Sequence, residues 1–169
     1  RLIKKQGLYS LDNGKYYVMK NGQAARGWKT VSGIKMHFNE KNAKMDTGEI
    51  YLKGKWYILG EDGIPEQGIV QIKGKKKFCV GKYGKVVTSS FISDSGKQYY
   101  AGSDGTLVTG WFSLGSDRYY FDSQNVMHTG FLSLSGNLYY FNANGVLARN
   151  TYVNVAKNQY YADDNGCLK

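Results

Sequence analysis

Eight segments of this chain recur at a step of 20 or 21 residues, which leaves room for little more than one hairpin per unit. The units are clearest at Gly110, GWFSLGSDRYYFDSQNVMHT, and at Gly130, GFLSLSGNLYYFNANGVLAR. Each opens on a Gly-aromatic pair, runs along a short strand to a Gly turn, returns through an aromatic strand and leaves by a second Gly or Asn turn. The residue before the aromatic pair marks each unit, counted back seven from the second turn. It is Lys15, Lys35, Trp56, Lys77, Gln98, Arg118, Leu138 and Gln159. One such hairpin buries too little surface to stand alone, so neighbours must stack to share a core. The sequence therefore predicts a single all-β domain over residues 1–169, a β-hairpin solenoid of about eight 20–21 residue repeats.

Turn chemistry supports this reading. The hairpin turns are Asn13-Gly14, Ser32-Gly33, Lys53-Gly54, Lys73-Gly74, Ser95-Gly96, Gly115-Ser116, Ser135-Gly136 and Lys157-Asn158. Gly and Asn accept the positive φ that tight hairpins demand. In the second turns, Asn42 and Asn125 stand in for Gly. The strands alternate with period two, which assigns a core face to Val31, Ile92, Phe112 and Leu132 on the first strand. Tyr57, Tyr99, Tyr119, Tyr139 and Tyr160 take that face on the second.

Two positions on the other, polar face are aromatic. One follows the opening Gly: Trp28, Phe91, Trp111, Phe131 and, in the last unit, Tyr152. The other is the outer member of the aromatic pair: Tyr17, Tyr100, Tyr120, Tyr140 and Tyr161, with His37, Ile58 and Cys79 in the middle units. Such rings either fill the seam between neighbouring hairpins or line shallow grooves for a sugar face or a cation. A seam is also a groove, so the two roles are compatible. The candidate ligand-binding residues are Trp111, Tyr120, Tyr140, Phe131, Tyr161, Phe91, Tyr100, Trp28 and Trp56. Trp111 is expected to share a groove with Tyr120 or Tyr140, and Phe131 with Tyr140 or Tyr161.

Charge is unevenly placed. Residues 1–85 hold 18 Lys+Arg and 7 Asp+Glu, while residues 86–169 hold 5 and 6. A basic half favours polyanions such as nucleic acid or phosphate-rich wall polymers, or serves solubility. The run Lys73, Lys75, Lys76, Lys77 is placed on an exposed hairpin turn. The cysteines, Cys79 and Cys167, lie four units apart and are expected to be free. His37 and His128 have no partners at ligand spacing, so neither a metal site nor a cofactor is expected. The acidic residues fall mostly in turns, a repeat array offers no pocket for a catalytic carboxylate pair, and no phosphate-binding fingerprint occurs. No apolar run reaches the ~18 residues of a membrane span. The chain opens on Arg1 and reads as part of something longer.

The units at Gly110 and Gly130 resemble the cell-wall-binding repeat shared by choline-binding surface proteins, the glucan-binding tails of glucansucrases and the repetitive tails of large clostridial toxins. The resemblance implies a secreted, cell-surface Gram-positive protein with a β-solenoid that binds wall or extracellular polysaccharide, teichoic acid included. It implies no catalysis and no nucleic-acid partner. A choline cage of this family uses a Trp after the opening Gly, a Trp before the Tyr pair and a Tyr from a neighbouring hairpin. The first matches at Trp28 and Trp111. The second matches only at Trp56, whose own unit has Glu49 in the first position. Lys or Arg at most other markers would repel a quaternary ammonium. The expected function is a non-catalytic anchor on a surface polymer. The alternatives are a spacer or protein-recognition array without a small ligand, and a choline-binding module.

Overall fold

The computed structural model describes residues 5–169, which fold as eight antiparallel hairpins with no helix. Repeat 1 pairs β1 (Gly7–Leu11) with β2 (Gly14–Val18), and repeat 2 pairs β3 (Gly27–Val31) with β4 (Ile34–Phe38). Repeat 3 pairs β5 (Gly48–Leu52) with β6 (Lys55–Leu59). Repeat 4 pairs β7 (Gly68–Ile72) with β8 (Lys75–Val80) and is followed by β9 (Lys85–Val86). Repeats 5 and 6 are β10–β11 (Ser90–Asp94, Lys97–Ala101) and β12–β13 (Gly110–Leu114, Asp117–Phe121). Repeats 7 and 8 are β14–β15 (Gly130–Leu134, Asn137–Phe141) and β16–β17 (Thr151–Val155, Asn158–Ala162). Arg1–Thr88 and Ser89–Lys169 form two compact units of four repeats each.

Each hairpin is completed by a short third segment. The last residue of the second strand bridges to it: Val18 to Ala24, Phe38 to Met45, Phe121 to Met127, Phe141 to Leu147. The carbonyl of the outer pair residue then accepts a second bond, as from Val108 N–H to Tyr100 and from His128 N–H to Tyr120. These bridging positions are the deepest in the protein, with Phe38, Phe121 and Phe141 fully buried.

The third segment also joins one repeat to the one before. Met127 N–H donates to the carbonyl of Gln98, Leu147 N–H to Arg118, and Leu168 N–H to Leu138, each at 2.8 Å. In the first unit Met45 N–H donates to Lys15, and β9 pairs with β6 at Lys85 and Tyr57. The marker residue is thus also the backbone acceptor of the inter-repeat rung. The one proline, Pro65, stands where repeat 3 would donate to repeat 2. It has no N–H, so that rung cannot form.

The second-turn glycine has a packing reason as well as a conformational one. A Cβ on Gly166 would lie 2.7 Å from Leu147 Cδ2, and one on Gly63 would lie 2.5 Å from Met45 Sδ. The preceding repeat's third-segment side chain occupies the space. Asn125 fills the same place with φ 69° and sends its buried amide to the carbonyls of Leu107 and Val108.

The register corrects several sequence assignments. In repeat 4, Ile69 faces Phe78 and Gln71 faces Lys76. The marker is therefore Lys76, not Lys77, and the outer pair residue is Phe78, not Cys79. β8 has one more residue than the other second strands, so counting back from the turn slips by one and swaps faces. In repeat 2 the extra residue lies in the connection, and the positive φ falls on Ala43 rather than Asn42. The first and last hairpin turns are Asp12-Asn13 and Ala156-Lys157, one residue earlier than expected. Of the lysine run only Lys73 and the following Gly74 form the turn; Lys77 is buried in β8.

Candidate functional site at the hairpin junctions

Hairpin pairing puts the ring at the second position of the first strand, which follows Gly in three repeats, Ser90 in repeat 5 and Thr151 in repeat 8, directly opposite the outer pair residue: Trp28 and His37, Phe91 and Tyr100, Trp111 and Tyr120, Phe131 and Tyr140, Tyr152 and Tyr161. All five pairs are in contact, with ring centroids 4.9–5.4 Å apart. The next hairpin brings a third ring to four of them. Trp28 meets Tyr57 at 5.5 Å, Phe91 meets Tyr119 at 5.3 Å, Trp111 meets Tyr139 at 5.1 Å and Phe131 meets Tyr160 at 5.4 Å. The interplanar angles of 59–74° are edge-on or nearly so, the arrangement that aromatic quadrupoles favour.

The expected partners of Trp111 and Phe131 within their own hairpins, Tyr120 and Tyr140, are therefore found. Those from the following hairpin are Tyr139 and Tyr160, the residues assigned to the core, rather than Tyr140 and Tyr161. The polar face of one repeat packs on the core face of the next, so the inner Tyr serves both.

Exposure separates the candidates. Phe91 (42%), Phe131 (38%) and Tyr161 (39%) are exposed, as is Tyr152 (63%). Trp28, Trp56, Trp111, Tyr120 and Tyr140 are half-buried. Tyr100 is only 6% exposed, since it packs with Tyr119, Phe121 and Phe112, and it offers no platform to a ligand. Trp56 lies apart from the ring junctions, against Tyr51 on its own hairpin at 4.8 Å. His37, read from sequence as a surface residue, is buried, and its Nδ1 is 2.6 Å from Asp46 Oδ2.

The junction between repeats 3 and 4 has a different chemistry. Glu49 stands in the position of Trp111, and Lys77 in that of Tyr119. Lys77 Nζ lies 2.5 Å from Glu49 Oε1, with side-chain exposures of 8% and 12%. A buried ion pair thus replaces the ring pair, and the Trp56 ring lies 5.7 Å from the ammonium.

The junction between repeats 2 and 3, where Pro65 removes the backbone rung, opens into a cavity of about 570 Å³. Trp28, His37 and Tyr57 form its walls, and Tyr83 adds another, 4.8 Å from Trp28. Glu40, Leu52 and Lys53 complete the lining. Lys35 and Lys82 lie 6.0 and 5.4 Å from the Tyr83 ring. Tyr83 was missed from sequence because it belongs to the turn before β9, outside the repeating pattern. Its only signal was the one-residue slip in repeat 4.

Three marker side chains bond straight across their hairpins: Lys35 to Thr30, Gln98 to Ser93 and Gln159 to Asn154. Arg118 instead lies over Trp111, its Cζ 4.2 Å from the ring centroid. Among the described residues no cluster of three or more His, Cys, Asp or Glu side chains is placed to hold a metal. Both cysteines are free, and burial pushes the Cys79 thiol up to about 12, with Glu66 and Glu49 adding to it. No described helix is long and apolar enough to cross a membrane.

A family model described as "Putative cell wall binding repeat" matches residues 89–107, 109–124 and 129–147. The chain is 31% identical over 115 residues to Glucosyltransferase-S of Streptococcus mutans, covering 66% of this chain but 8% of that enzyme. Among solved structures, CbpJ of Streptococcus pneumoniae superimposes with a TM-score of 0.86 at 28% identity. Choline binding protein F of the same species, solved in the presence of a peptidoglycan analogue, gives 0.84 at 29%. Both comparisons cover 98% of this chain and 58% of the neighbour. The chain thus spans a small part of the enzyme it matches and little more than half of each solved neighbour. Residues 89–147 thus match the cell wall binding repeat, and the fold is similar to that of CbpJ and choline binding protein F.

Proposed function

We propose that this chain is a non-catalytic module that holds a larger secreted protein on a cell-wall or cell-surface polymer. The observation that carries this reading is the recurrence of one ring junction at 20–21 residue intervals, with exposed Phe91, Phe131, Tyr152 and Tyr161 in repeats 5, 7 and 8 of the second unit. A polymer of like units suits a series of like seats. Each exposed ring contributes on the order of 1 kcal/mol or less, and several seats engaged by one chain multiply rather than add. The streptococcal relatives, a glucosyltransferase and a protein solved with a peptidoglycan analogue, support a glycan or wall ligand.

The Trp28 cavity favours a second, finer reading, in which it seats a small charged substituent of that polymer. Its rings and Glu40 suit an alkylammonium group, and the lysines at Tyr83 suit a neighbouring anion. This supports the choline-binding alternative more strongly than the repeat pattern alone, which contains no third ring at Tyr83.

Co-sedimentation with purified streptococcal cell walls and with insoluble glucan tests the main reading. The chain should pellet with at least one of them, and the pair Phe131→Ala and Tyr152→Ala should release it. A spacer would pellet with neither. Retention on a choline-type resin tests the cavity, and Tyr83→Ala should abolish it.

A further inference from the structure

Arg118 is the one marker in the second unit whose side chain turns onto a junction ring. Gln98 and Gln159 are tied across their hairpins, and Leu138 is apolar. Arg118 does not bond its cross-strand neighbour Ser113, and its guanidinium makes no hydrogen bond or ion pair among the described residues. It is half-exposed and near Tyr139, whose phenol the Cys167 contact and burial hold above its ordinary pKa, with the Arg118 charge a small opposing influence. Nor is it part of a general basic surface: residues 86–169 hold 5 Lys+Arg against 6 Asp+Glu. Arg149, by contrast, donates to the Ser116 carbonyl, and Lys169 faces Asp163.

Two consequences follow from chemistry. A guanidinium stacked on an indole occupies the π face that any external cation would need. A guanidinium so held still presents free N–H edges in a fixed plane, the geometry that matches a carboxylate or phosphate.

We propose that Arg118 sets the ligand selectivity of the Trp111 junction, closing its ring face to cationic substituents and directing it to an anionic group, carboxylate or phosphodiester, on the bound polymer. This rests on the reading of the junctions as polymer seats and adds the chemistry that one of them accepts. The repeats within one chain then differ in ligand: the Trp28 cavity has a carboxylate, Glu40, and its lysines lie at Tyr83 rather than over Trp28, while the Trp111 ring carries its own cation.

The test reads Trp111 directly. The indole N–H resonance of Trp111 in the full ¹⁵N-labelled chain is assigned with Trp111→Phe and followed during titration with three probes: a glycerol-phosphate oligomer, a galacturonate oligomer and choline chloride. The comparison variant is Arg118→Gln, because glutamine already occupies this position in repeats 5 and 8 and can bond to Ser113 as Gln98 bonds to Ser93. In the wild type, one or both anionic oligomers should shift Trp111 and choline should not. Which oligomer is the more effective identifies the source of the anion. In Arg118→Gln, the anion affinity should fall about tenfold, the loss of one exposed charge-assisted contact, and choline should now shift Trp111. A wild-type Trp111 that responds to choline overturns the proposal. So does an anion response that survives Arg118→Gln, or a Trp111 that no probe shifts. If Trp111 is silent while the chain still pellets with walls or glucan, the selectivity claim alone fails; if both fail, so does the polymer reading.

Discussion

Replacing Lys77 with Met should be among the most destabilising single changes in the first unit. The Lys77 and Glu49 side chains are 8% and 12% exposed, with 2.5 Å between charged atoms, so solvent screens the pair little. Removing one partner leaves the other charge buried without its counterion, which costs about 3–5 kcal/mol. Glu49→Gln should cost a similar amount from the other side. The pair is not itself a source of comparable net stability, because both groups were dehydrated to form it. Glu49→Phe combined with Lys77→Tyr rebuilds the ring pair of Phe91 and Tyr119 at the same two positions. That double variant should lie within about 1 kcal/mol of the parent or above it, since replacing a buried pair by packed apolar groups is often neutral or stabilising. Urea unfolding followed by far-UV circular dichroism measures all four proteins. Single variants losing less than about 1 kcal/mol, or a ring pair no more stable than the single variants, would refute the idea that the third junction is a chemical substitute for the others.

Four smaller outcomes check the packing. Cys79 should resist thiol reagents at pH 8 while half-buried Cys167 reacts; a colorimetric thiol titration should count one fast group in the native chain and two in denaturant. Because the thiol's pKa rises on folding from the ordinary 9.0 to about 12, this group's contribution to stability is full below pH 9 and declines as pH rises above it, which unfolding at pH 8 and pH 10 would show. Gly166→Ala should lower stability by roughly 1–2 kcal/mol from the left-handed backbone alone, more with the Leu147 clash, in a thermal melt. Asn125→Gly keeps the turn but loses two buried amide bonds, at a cost of about 1–3 kcal/mol by the same melt.

Much of this was legible in the sequence because hairpin, turn and alternation are local. The 20–21 residue step marked the eight hairpins, and the period-two pattern put Trp111 on one face with Tyr120 and Phe131 on one face with Tyr140, which the pairing sets opposite each other. Single-residue insertions were not legible, since one extra residue in β8 changes no composition but reverses which side chains face in. Nor was the double use of the inner tyrosines. Period two says that Tyr139 leaves its strand on the core side, but not that the preceding hairpin's Trp111 lies there. The burial of His37 and Tyr100 follows from the same stacking, which depends on pairs about 20 residues apart. Tyr83 was hidden for the opposite reason: it lies in a turn that departs from the repeat, and only tertiary packing brings it to Trp28.

The central claim, that the ring junctions are where polymer is held, is tested most directly by chemical-shift mapping of the labelled full chain with soluble wall fragments and with short glucan oligomers. The responsive resonances should gather at the junction rings, Phe131 with Tyr140 and Tyr160, Tyr152 with Tyr161, and Trp28 with Tyr83 in the cavity. Phe131→Ala should remove the response of its own junction while leaving the Trp28 cavity responsive. Shifts confined to the lysine turn at Lys73, or spread evenly over the basic surface and lost in moderate salt, would contradict that claim and show that charge alone brings this chain to its polymer.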